Sequence, residues 1–339
     1  MADLGAGKMR VRRLISFLLA VSFIVMTGCS SLGMGHQSMD VLKARYANRF
    51  SRFVVVDGTP VHYRIEGNAD GPTLVLVHAV MASMQTWDGW VHYLGRSYRI
   101  VRLDMPGNGL TGPLKGSDDY SPEHLEQFFS DFVDAIKLDR FDLAGNSQGG
   151  MIAWMYALHH PERIDKMVLI QPLGYPQKLP PIINFMTTPG IRDLSYLGAP
   201  RALVTHVARE VYADPDRLND GIIERYYDLS QRQGNRVAMM KTLVALRKAS
   251  LTEHYAKMIP LIKTPMMIEW GAKDQFVPRK LLLRWHHDLP AAPIVIYPWG
   301  GHVTMEEVPM QSSRDADRFF QGLPIKSNMW SEKTLINPD

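Results

Sequence analysis

Ser147 is the residue of this 339-residue chain whose surroundings point most directly to chemistry. It lies in the segment Gly145-Asn146-Ser147-Gln148-Gly149-Gly150, after an apolar stretch short enough for a buried strand (141–144) and before a stretch typical of a buried helix (151–158). A serine on a sharp strand-to-helix turn between glycines is a nucleophile elbow. The first amides of the helix face any negative charge that forms near the serine oxygen. The pattern predicts acyl chemistry at Ser147; a glycine-rich turn with an idle serine is the alternative.

A serine hydroxyl becomes a useful nucleophile only when a base takes its proton and an acid orients that base. Asp274 follows a predicted strand at 264–271, and His302 follows another at 293–297. Both lie at the carboxyl ends of strands, where open α/β sheets place their ligands. We therefore predict a catalytic triad of Ser147, His302 and Asp274, against the alternatives of a turn aspartate and an idle loop histidine. His78, at another strand end, is interpreted as structural.

The elements that must position these residues form a regular pattern. Eight strand-like runs occur at 53–56, 61–66, 74–78, 99–104, 141–144, 166–171, 266–270 and 294–297. From the third onward they alternate with helical segments, which predicts an α/β fold with a mostly parallel eight-stranded sheet covered on both faces. The alternation stops between 173 and 264, where helical patterns occur at 219–229 and 236–246. We predict a core of residues 51–172 and 265–325, with 173–264 as a helical cap over Ser147.

The order of these motifs resembles that of the α/β-hydrolase superfamily, from about residue 53 to the C-terminal region. The matching segments are Asp57–Arg64 (the opening hairpin), His78-Ala79-Val80 (the oxyanion loop), Asp104–Gly109 (a D-x-P-G-x-G turn), Gly271–Asp274 and Gly301–Pro309. The superfamily's chain order of nucleophile, acid and histidine is also kept. The branches that use an aspartate nucleophile do not fit, because the elbow holds a serine.

The resemblance also implies an oxyanion hole formed by the backbone amides of Val80 and Gln148. One residue departs from the pattern, because Ala79 stands where the superfamily usually has glycine. A methyl group there tightens the loop or requires a negative φ, so the position of the Val80 amide depends on how this loop is built.

Two other classes of site are disfavoured. The segment Gly107–Gly112 reads G-x-G-x-x-G, the dinucleotide fingerprint, but Pro113 and further loop residues follow where that fingerprint needs a helix to begin. No zinc-like cysteine spacing is possible with a single cysteine. We therefore expect no bound cofactor and no metal site.

The N-terminal segment is typical of a secretory signal. Four basic residues between Lys8 and Arg13 precede an apolar run at 14–26, which is too short as a helix to cross the roughly 30 Å hydrocarbon core. Met26-Thr27-Gly28-Cys29 resembles a bacterial lipobox, which implies that cleavage leaves a lipid-modified Cys29 as the new N-terminus. Residues 1–28 are thus predicted to be a lipoprotein signal peptide and 29–50 a tether. Cleavage by ordinary signal peptidase, which leaves a spare thiol, is the alternative.

The charge of the chain fits this interpretation. Residues 1–28 carry four basic and one acidic side chains, so they account for most of the formal charge of +4, and the rest carries about +1. Nucleic-acid binding therefore lacks an electrostatic basis. Because Ser30 is not aspartate, the usual lipoprotein sorting rule favours the outer membrane of a bacterial cell envelope. The sequence does not indicate an oligomeric state.

These observations predict a lipid-anchored serine hydrolase that cleaves small-molecule carboxylic esters or acylglycerols through an acyl-enzyme. Three alternatives remain. The elbow also resembles that of carbon–carbon bond hydrolases of aromatic degradation, although those commonly carry Trp after the catalytic His, where this chain has Val303. Cofactor-free perhydrolases share the triad, and a catalytically idle envelope lipoprotein could use the fold for binding.

Overall fold

A computed structural model describes residue 33 and residues 35–325 of the chain. The predicted signal peptide, residues 1–28, and Cys29 lie outside the described residues. The described strands are β1 (Ser51–Val56), β2 (Thr59–Gly67), β3 (Thr73–Val77), β4 (Arg99–Leu103), β5 (Phe141–Asn146), β6 (Ile164–Ile170), β7 (Met266–Gly271) and β8 (Ile294–Tyr297). They form one sheet in the order β1-β2-β4-β3-β5-β6-β7-β8.

The sheet is mostly parallel, as predicted. β2 pairs antiparallel with β1 and with β4, and all the other neighbouring strands are parallel. Every residue of β5 and β7 is buried, because helices cover both faces of a parallel sheet and leave its central strands no solvent-exposed side. The eight strands predicted from the apolar runs are all confirmed, with bounds that shift by up to two residues.

Helices cover the two faces of the sheet. The helices outside the cap are α1 (Met39–Tyr46), α2 (Asp88–Leu94), α3 (Pro122–Ala135), α4 (Gln148–His159), α10 (Leu282–Asp288), α11 (Thr304–Glu307) and α12 (Pro309–Phe320). Along β3, Val75 and Val77 pack with residues of α3, α4 and α10, whereas Leu74 and Leu76 pack with residues of α2 and α12. This alternation follows from the two-residue period of a strand and gives two apolar layers around the sheet.

The segment predicted as a cap, residues 173–264, lies between β6 and β7. It contains α5 (Pro181–Met186), α6 (Ile191–Ser195), α7 (Arg201–Glu210), α8 (Asp220–Ser230) and α9 (Asn235–Ala249). The two helices predicted here, at 219–229 and 236–246, correspond to α8 and α9. The side chain of Asn219 caps α8 by accepting a hydrogen bond from the Ile222 amide at 2.9 Å, which explains why this helix begins where it does.

Part of the predicted tether is docked on the cap. Leu42, on α1, is fully buried and packs with Leu110 and Leu229. The Arg45 guanidinium and the Tyr46 hydroxyl both donate to one carboxylate oxygen of Asp228, at 2.6 and 2.8 Å. Residues 39–46 of the predicted tether therefore form a helix that an apolar contact and a shared carboxylate hold to α8.

A buried carboxyl at the start of β5, at the other end of this strand from Ser147, makes the stability of the fold depend on pH. Burial, reinforced by nearby Asp165, raises the pKa of Asp142 on β5 to about 7. The unfolded chain loses this proton near pH 4, so between pH 4 and 7 the folded state holds more protons and stability falls as pH rises.

We expect Asp142→Asn to remove this penalty. At pH 8.5 the variant should be more stable than the wild type by on the order of 2–4 kcal/mol, because each pKa unit is worth about 1.4 kcal/mol. At pH 4 the two proteins should differ little. Thermal melting at both pH values checks this, with the exposed Asp139→Asn as a control that should shift neither curve. A variant that is no more stable than the wild type at pH 8.5 would show that Asp142 is ionised without cost.

Candidate active site

Ser147 lies on a strained turn between β5 and α4. Its backbone φ of 54° and ψ of −112° fall outside the regions that residues with side chains usually adopt. The Ser147 amide donates to the Ile170 carbonyl at 2.9 Å, which fixes the turn to the end of β6. Strain of this kind persists only where the surrounding structure holds it, and it is found most often at functional sites.

The glycines beside Ser147 are required by close backbone contacts. A Cβ atom on Gly145 would lie 2.3 Å from the carbonyl oxygen of Gly149, and one on Gly149 would lie 2.3 Å from the carbonyl oxygen of Val77. No side chain fits at either distance. The elbow pattern read from the sequence thus has a direct physical cause, because α4 begins too close to β3 and β5 for larger residues.

The structure brings His302 and Asp274 together. The His302 Nδ1 atom lies 2.9 Å from Oδ2 of Asp274, whose side chain is almost fully buried. The other carboxylate oxygen accepts from the amides of Phe276 and Val277, at 2.7 and 3.2 Å. The Phe276 ring stacks on the imidazole, with 5.1 Å between centroids. These contacts fix the carboxylate and the ring and leave Nε2 of His302 as the nitrogen available to a nucleophile.

Asn146 connects the elbow to the histidine loop. Its side-chain amide donates to the carbonyl oxygens of His302, at 3.0 Å, and Ile170, at 3.1 Å. The sequence alone indicated no role for Asn146, and this contact was not predicted. The available signal was a polar side chain at the end of an apolar strand, directly before Ser147.

Ser147 and His302 line one cavity of about 180 Å³. In the described part of the chain, no hydrogen bond joins the Ser147 hydroxyl to His302. Such a bond is often long in an unliganded site and shortens when substrate binds. The shared cavity therefore exposes both groups to a substrate bound there, whereas Asp274 contacts His302 through Nδ1 from outside the lining.

The amides of Val80 and Gln148 are available to an oxyanion, because neither donates to another described residue. Gln148 is the first residue of α4, and Val80 lines the cavity. Ala79 does not adopt a left-handed conformation; the left-handed residue of this loop is Met81, at φ 62°. The Met81 amide donates to Asn108 Oδ1 at 3.0 Å. The loop is thus built without strain at Ala79, and alanine in place of glycine is accommodated.

His78 is held in one neutral form beneath this loop. The Met105 amide donates to its Nε2 atom at 3.0 Å, so Nδ1 carries the proton and donates to the Ala79 carbonyl at 2.6 Å. Complete burial lowers the pKa of His78. With both nitrogens engaged, His78 fastens the loop to the turn after β4, which agrees with its interpretation as a structural residue.

A second set of serine, histidine and aspartate side chains lies away from the cavity. His62 bonds to Asp104 through Nδ1 at 2.7 Å and to the Ser51 hydroxyl through Nε2 at 2.9 Å. Burial alone would raise the pKa of Asp104, but the hydrogen bond and charge of His62 outweigh it and hold the pKa below its usual range. Ser51 lies on the edge strand β1 without an elbow, and its oxygen also accepts from the Asn48 amide. This set ties β1 and β2 to the turn after β4.

The cap provides most of the cavity wall. Apolar side chains dominate the lining, among them Met186, Val207, Met239, Met240 and Leu243. No acidic residue lies among the described lining residues, and apart from His302 the only basic one is Arg236. The Arg236 guanidinium donates to Gln231 Oε1 at 2.6 Å and to backbone carbonyl groups of Gly33, Gly35 and Leu197. Its donors are thus engaged by neutral oxygens of the protein itself.

Polar contacts attach the cap to the histidine loop. The His302 amide donates to the Val211 carbonyl at 2.7 Å. The buried Arg225 of α8 pairs with Glu306 of α11, and the Tyr226 hydroxyl donates to the same carboxylate at 3.0 Å. Sequence analysis missed these contacts. They couple the position of His302 to the helices of the cap.

The whole arrangement corresponds to a known family. Residues 72–309 match the model of a family described as having the alpha/beta hydrolase fold. This span contains the elbow, Asp274 and His302. The chain therefore belongs to the alpha/beta hydrolase family. In the described residues, no cluster of three or more His, Cys, Asp and Glu side chains is placed to hold a metal ion.

Proteins similar to this chain differ in the substrates that their names describe. A 2-hydroxy-6-oxononadienedioate/2-hydroxy-6-oxononatrienedioate hydrolase of Cupriavidus pinatubonensis is 28% identical over 265 residues, which cover 74% of this chain and 89% of that protein. A bacterial membrane phospholipase A has a similar structure, with a TM-score of 0.65 and 22% identity over 95% of this chain and 99% of that one. A meta-cleavage product hydrolase of Pseudomonas fluorescens gives a TM-score of 0.69 and 21% identity over 80% and 97%. At these identities the structural likenesses show the fold alone.

Proposed function

We propose that this protein is a lipid-anchored serine hydrolase that cleaves carboxylic esters with apolar acyl groups. The observation that carries the proposal is the cavity shared by Ser147 and His302. Its described lining is mostly apolar and contains one other cation, Arg236, whose donors are bonded to oxygens of the chain. Such a cavity favours a neutral, apolar substrate portion, because that portion brings no charge that would need a buried partner.

The geometry supports a two-step mechanism. Ser147 Oγ attacks the ester carbonyl carbon while Nε2 of His302 takes the hydroxyl proton. Asp274 holds the imidazole in the required tautomer through its 2.9 Å contact with Nδ1. The carbonyl oxygen, now negative, accepts from the Val80 and Gln148 amides. His302 then gives its proton to the leaving alcohol, and water activated by the same histidine releases the acid from Ser147.

Carbon–carbon bond hydrolysis is the second candidate, because the elbow resembles that of such enzymes and a relative of the chain is named as a hydrolase of 2-hydroxy-6-oxononadienedioate. A dienedioate substrate bears two carboxylates, which require free cationic or polar partners when buried. Apart from His302, Arg236 is the only cation among the described lining residues, and it is already bonded to four oxygens of the chain. An uncharged acyl chain fits this cavity better, and the membrane phospholipase A that shares the fold over 95% of the chain is named for ester cleavage.

A panel of p-nitrophenyl esters from acetate to palmitate tests the proposal. We expect kcat/KM to peak at a medium chain length, at least about tenfold above acetate, because each buried methylene is worth roughly 0.8 kcal/mol. No hydrolysis of a 2-hydroxy-6-oxodienedioate is expected. A maximum at acetate would remove the apolar acyl assignment and leave esterase activity. Rapid cleavage of the dienedioate together with slow ester hydrolysis would replace the proposal with carbon–carbon hydrolysis.

The anchor is the second part of the proposal. Cys29 follows the basic and apolar succession of a lipoprotein signal, and it is the chain's single cysteine, so it has no disulfide partner within one chain. Several acyl chains on its sulfur and amino group would hold the protein stably at a membrane. We propose the outer membrane of a bacterial envelope as its location, on the basis of Ser30. No described helix has the length and apolar character needed to cross a bilayer.

A further inference from the structure

The cap exposes three large apolar side chains close together in the sequence. Phe185, Leu194 and Leu197 are 56%, 63% and 60% exposed, and we call them the cap patch. They belong to α5, α6 and the turn that follows. The same stretch also contributes to the wall of the active-site cavity through Phe185, Ile191 and Ala199. The patch therefore lies at the outer side of the segment that encloses the substrate.

The described chain begins beside this patch. Gly33 lies so close to Ala199 that a Cβ atom on it would be 2.1 Å from the Ala199 carbonyl oxygen. Arg236 fixes this position, because its Nη1 atom donates to the carbonyl oxygens of Gly33 and Gly35, at 2.9 and 3.1 Å. Its Nη2 atom donates to the Leu197 carbonyl at 3.5 Å. One buried guanidinium thus binds both the N-terminal segment and a residue of the patch.

This contact limits how far the patch can lie from a lipid attached at Cys29. Cys29 precedes Gly33 by four positions in the sequence, and a chain spans at most about 3.6 Å per residue, so a lipid attached at Cys29 can begin no farther than roughly 14 Å from Gly33. α1 is docked on α8 through Leu42, so the segment between Cys29 and β1 does not act as a long flexible linker. An anchor at Cys29 would therefore bring the cap, rather than the opposite edge of the sheet, against the bilayer.

The chemistry of the surrounding segment suits the same partner. Residues 173–210 carry four basic side chains, Lys178, Arg192, Arg201 and Arg209, against two acidic ones, Asp193 and Glu210. Exposed leucine and phenylalanine beside basic residues is the composition that binds at the interface of anionic lipids.

We propose that the cap patch inserts into the surface of the membrane and that lipid esters pass from the bilayer past Phe185 to Ser147. The inference rests on the proposed ester hydrolase for its substrate, whereas the docking surface rests on the position of Gly33 and the exposed side chains. Substrate then reaches the cavity without crossing water, and the short distance from Cys29 sets the orientation of the cap on the membrane.

The first experiment measures insertion without using activity. The full chain is reconstituted in vesicles of phosphatidylethanolamine and phosphatidylglycerol, with a bimane label on Leu194→Cys or on Leu323→Cys as the control. Leu323 is 45% exposed and follows Gly322, whose position near Lys166 places it at the sheet edge opposite Ser147. Peptide mapping verifies the labelled site. If Cys29 carries no acyl group, the variants are made in Cys29→Ser.

We expect doxyl-labelled lipids to quench the label at 194 and to leave the label at 323 unchanged. Equal quenching at both positions, or none at 194, would overturn the proposal. A third outcome would also overturn the proposal. If the protein in detergent has twice the mass of one chain and the label at 194 is already shielded from solvent, a second copy covers the patch.

The second experiment measures access of lipid to the site. Leu194→Asp/Leu197→Asp should hydrolyse medium-chain phosphatidylglycerol in these vesicles about tenfold more slowly than the wild type, because a charge at the interface opposes insertion. Hydrolysis of soluble p-nitrophenyl butyrate should stay unchanged, since neither leucine lines the cavity. Leu283→Asp/Leu323→Asp, with the same added charge, should match the wild type on both substrates.

Wild-type rates of lipid hydrolysis in the patch variant would contradict the proposed route. A wild type that cleaves no ester at all would reject the proposed function, and the quenching result would still decide the docking surface.

Discussion

Ser147→Ala should abolish ester turnover while the fold remains intact. Loss of the nucleophile of a triad costs about 10⁶ in kcat, and the residual rate comes from the oxyanion amides and substrate binding. The strained turn is set by the glycines and by the Ser147 amide, so the substitution should leave thermal melting close to that of the wild type. Initial rates with the best p-nitrophenyl ester, measured at high enzyme concentration, check this expectation.

Ser51→Ala is the matched control. Ser51 also contacts a histidine that is bonded to an aspartate, and its hydrogen bond to His62, at 2.9 Å, is already formed in the structure. It lies outside the cavity that holds Ser147, so its variant should keep most of the ester activity and lose some stability. If activity survives in Ser147→Ala and disappears in Ser51→Ala, the chemistry belongs to the second set of residues, and the assignment of Ser147 as the nucleophile is wrong.

Asp274→Asn should produce the second largest loss, on the order of 10⁴ in kcat, by favouring the wrong imidazole tautomer. The effect should be large here because Asp274 is almost fully buried and holds His302 through one oxygen while two amides hold the other. KM should change little, because the carboxylate does not line the cavity. Steady-state kinetics of the variant check both parameters.

Asp288→Asn provides the comparison for this variant. Asp288 also bonds to a histidine, His287, at 2.8 Å, but this histidine lies in an exposed position outside the cavity. The control should retain wild-type kinetics. If Asp274→Asn keeps more than a few per cent of the wild-type rate, another carboxylate orients His302 and the assignment of the acid is wrong.

Much of the fold was predictable because short-range patterns determine it. The apolar runs that form β3, β5 and β7 are buried on both sides, and their composition alone identifies them as strands of a covered parallel sheet. The elbow was predictable for a similar reason. Its glycines are required because a Cβ atom on Gly145 or Gly149 would lie 2.3 Å from a carbonyl oxygen, and such close packing restricts residue type directly.

The parts that sequence analysis missed depend on partners far apart in the chain. Asn146 reaches the carbonyl of His302, and Arg225 pairs with Glu306 across the boundary between cap and core. Many polar residues are compatible with such positions, so nothing in the local sequence selects the partner. The docking of α1 was missed for the same reason, since Arg45 and Tyr46 meet Asp228 only when the cap is already folded.

The most direct test of the account is to find the atom that carries the acyl group. The wild type is mixed with the preferred p-nitrophenyl ester, quenched in acid within the first turnovers, digested and analysed by mass spectrometry. The account predicts one acyl group on the peptide that contains Ser147, absent from Ser147→Ala and present in Ser51→Ala. An acyl group on another residue, or rapid turnover with no acyl-enzyme at any quench time, would contradict the assignment of Ser147 as the nucleophile.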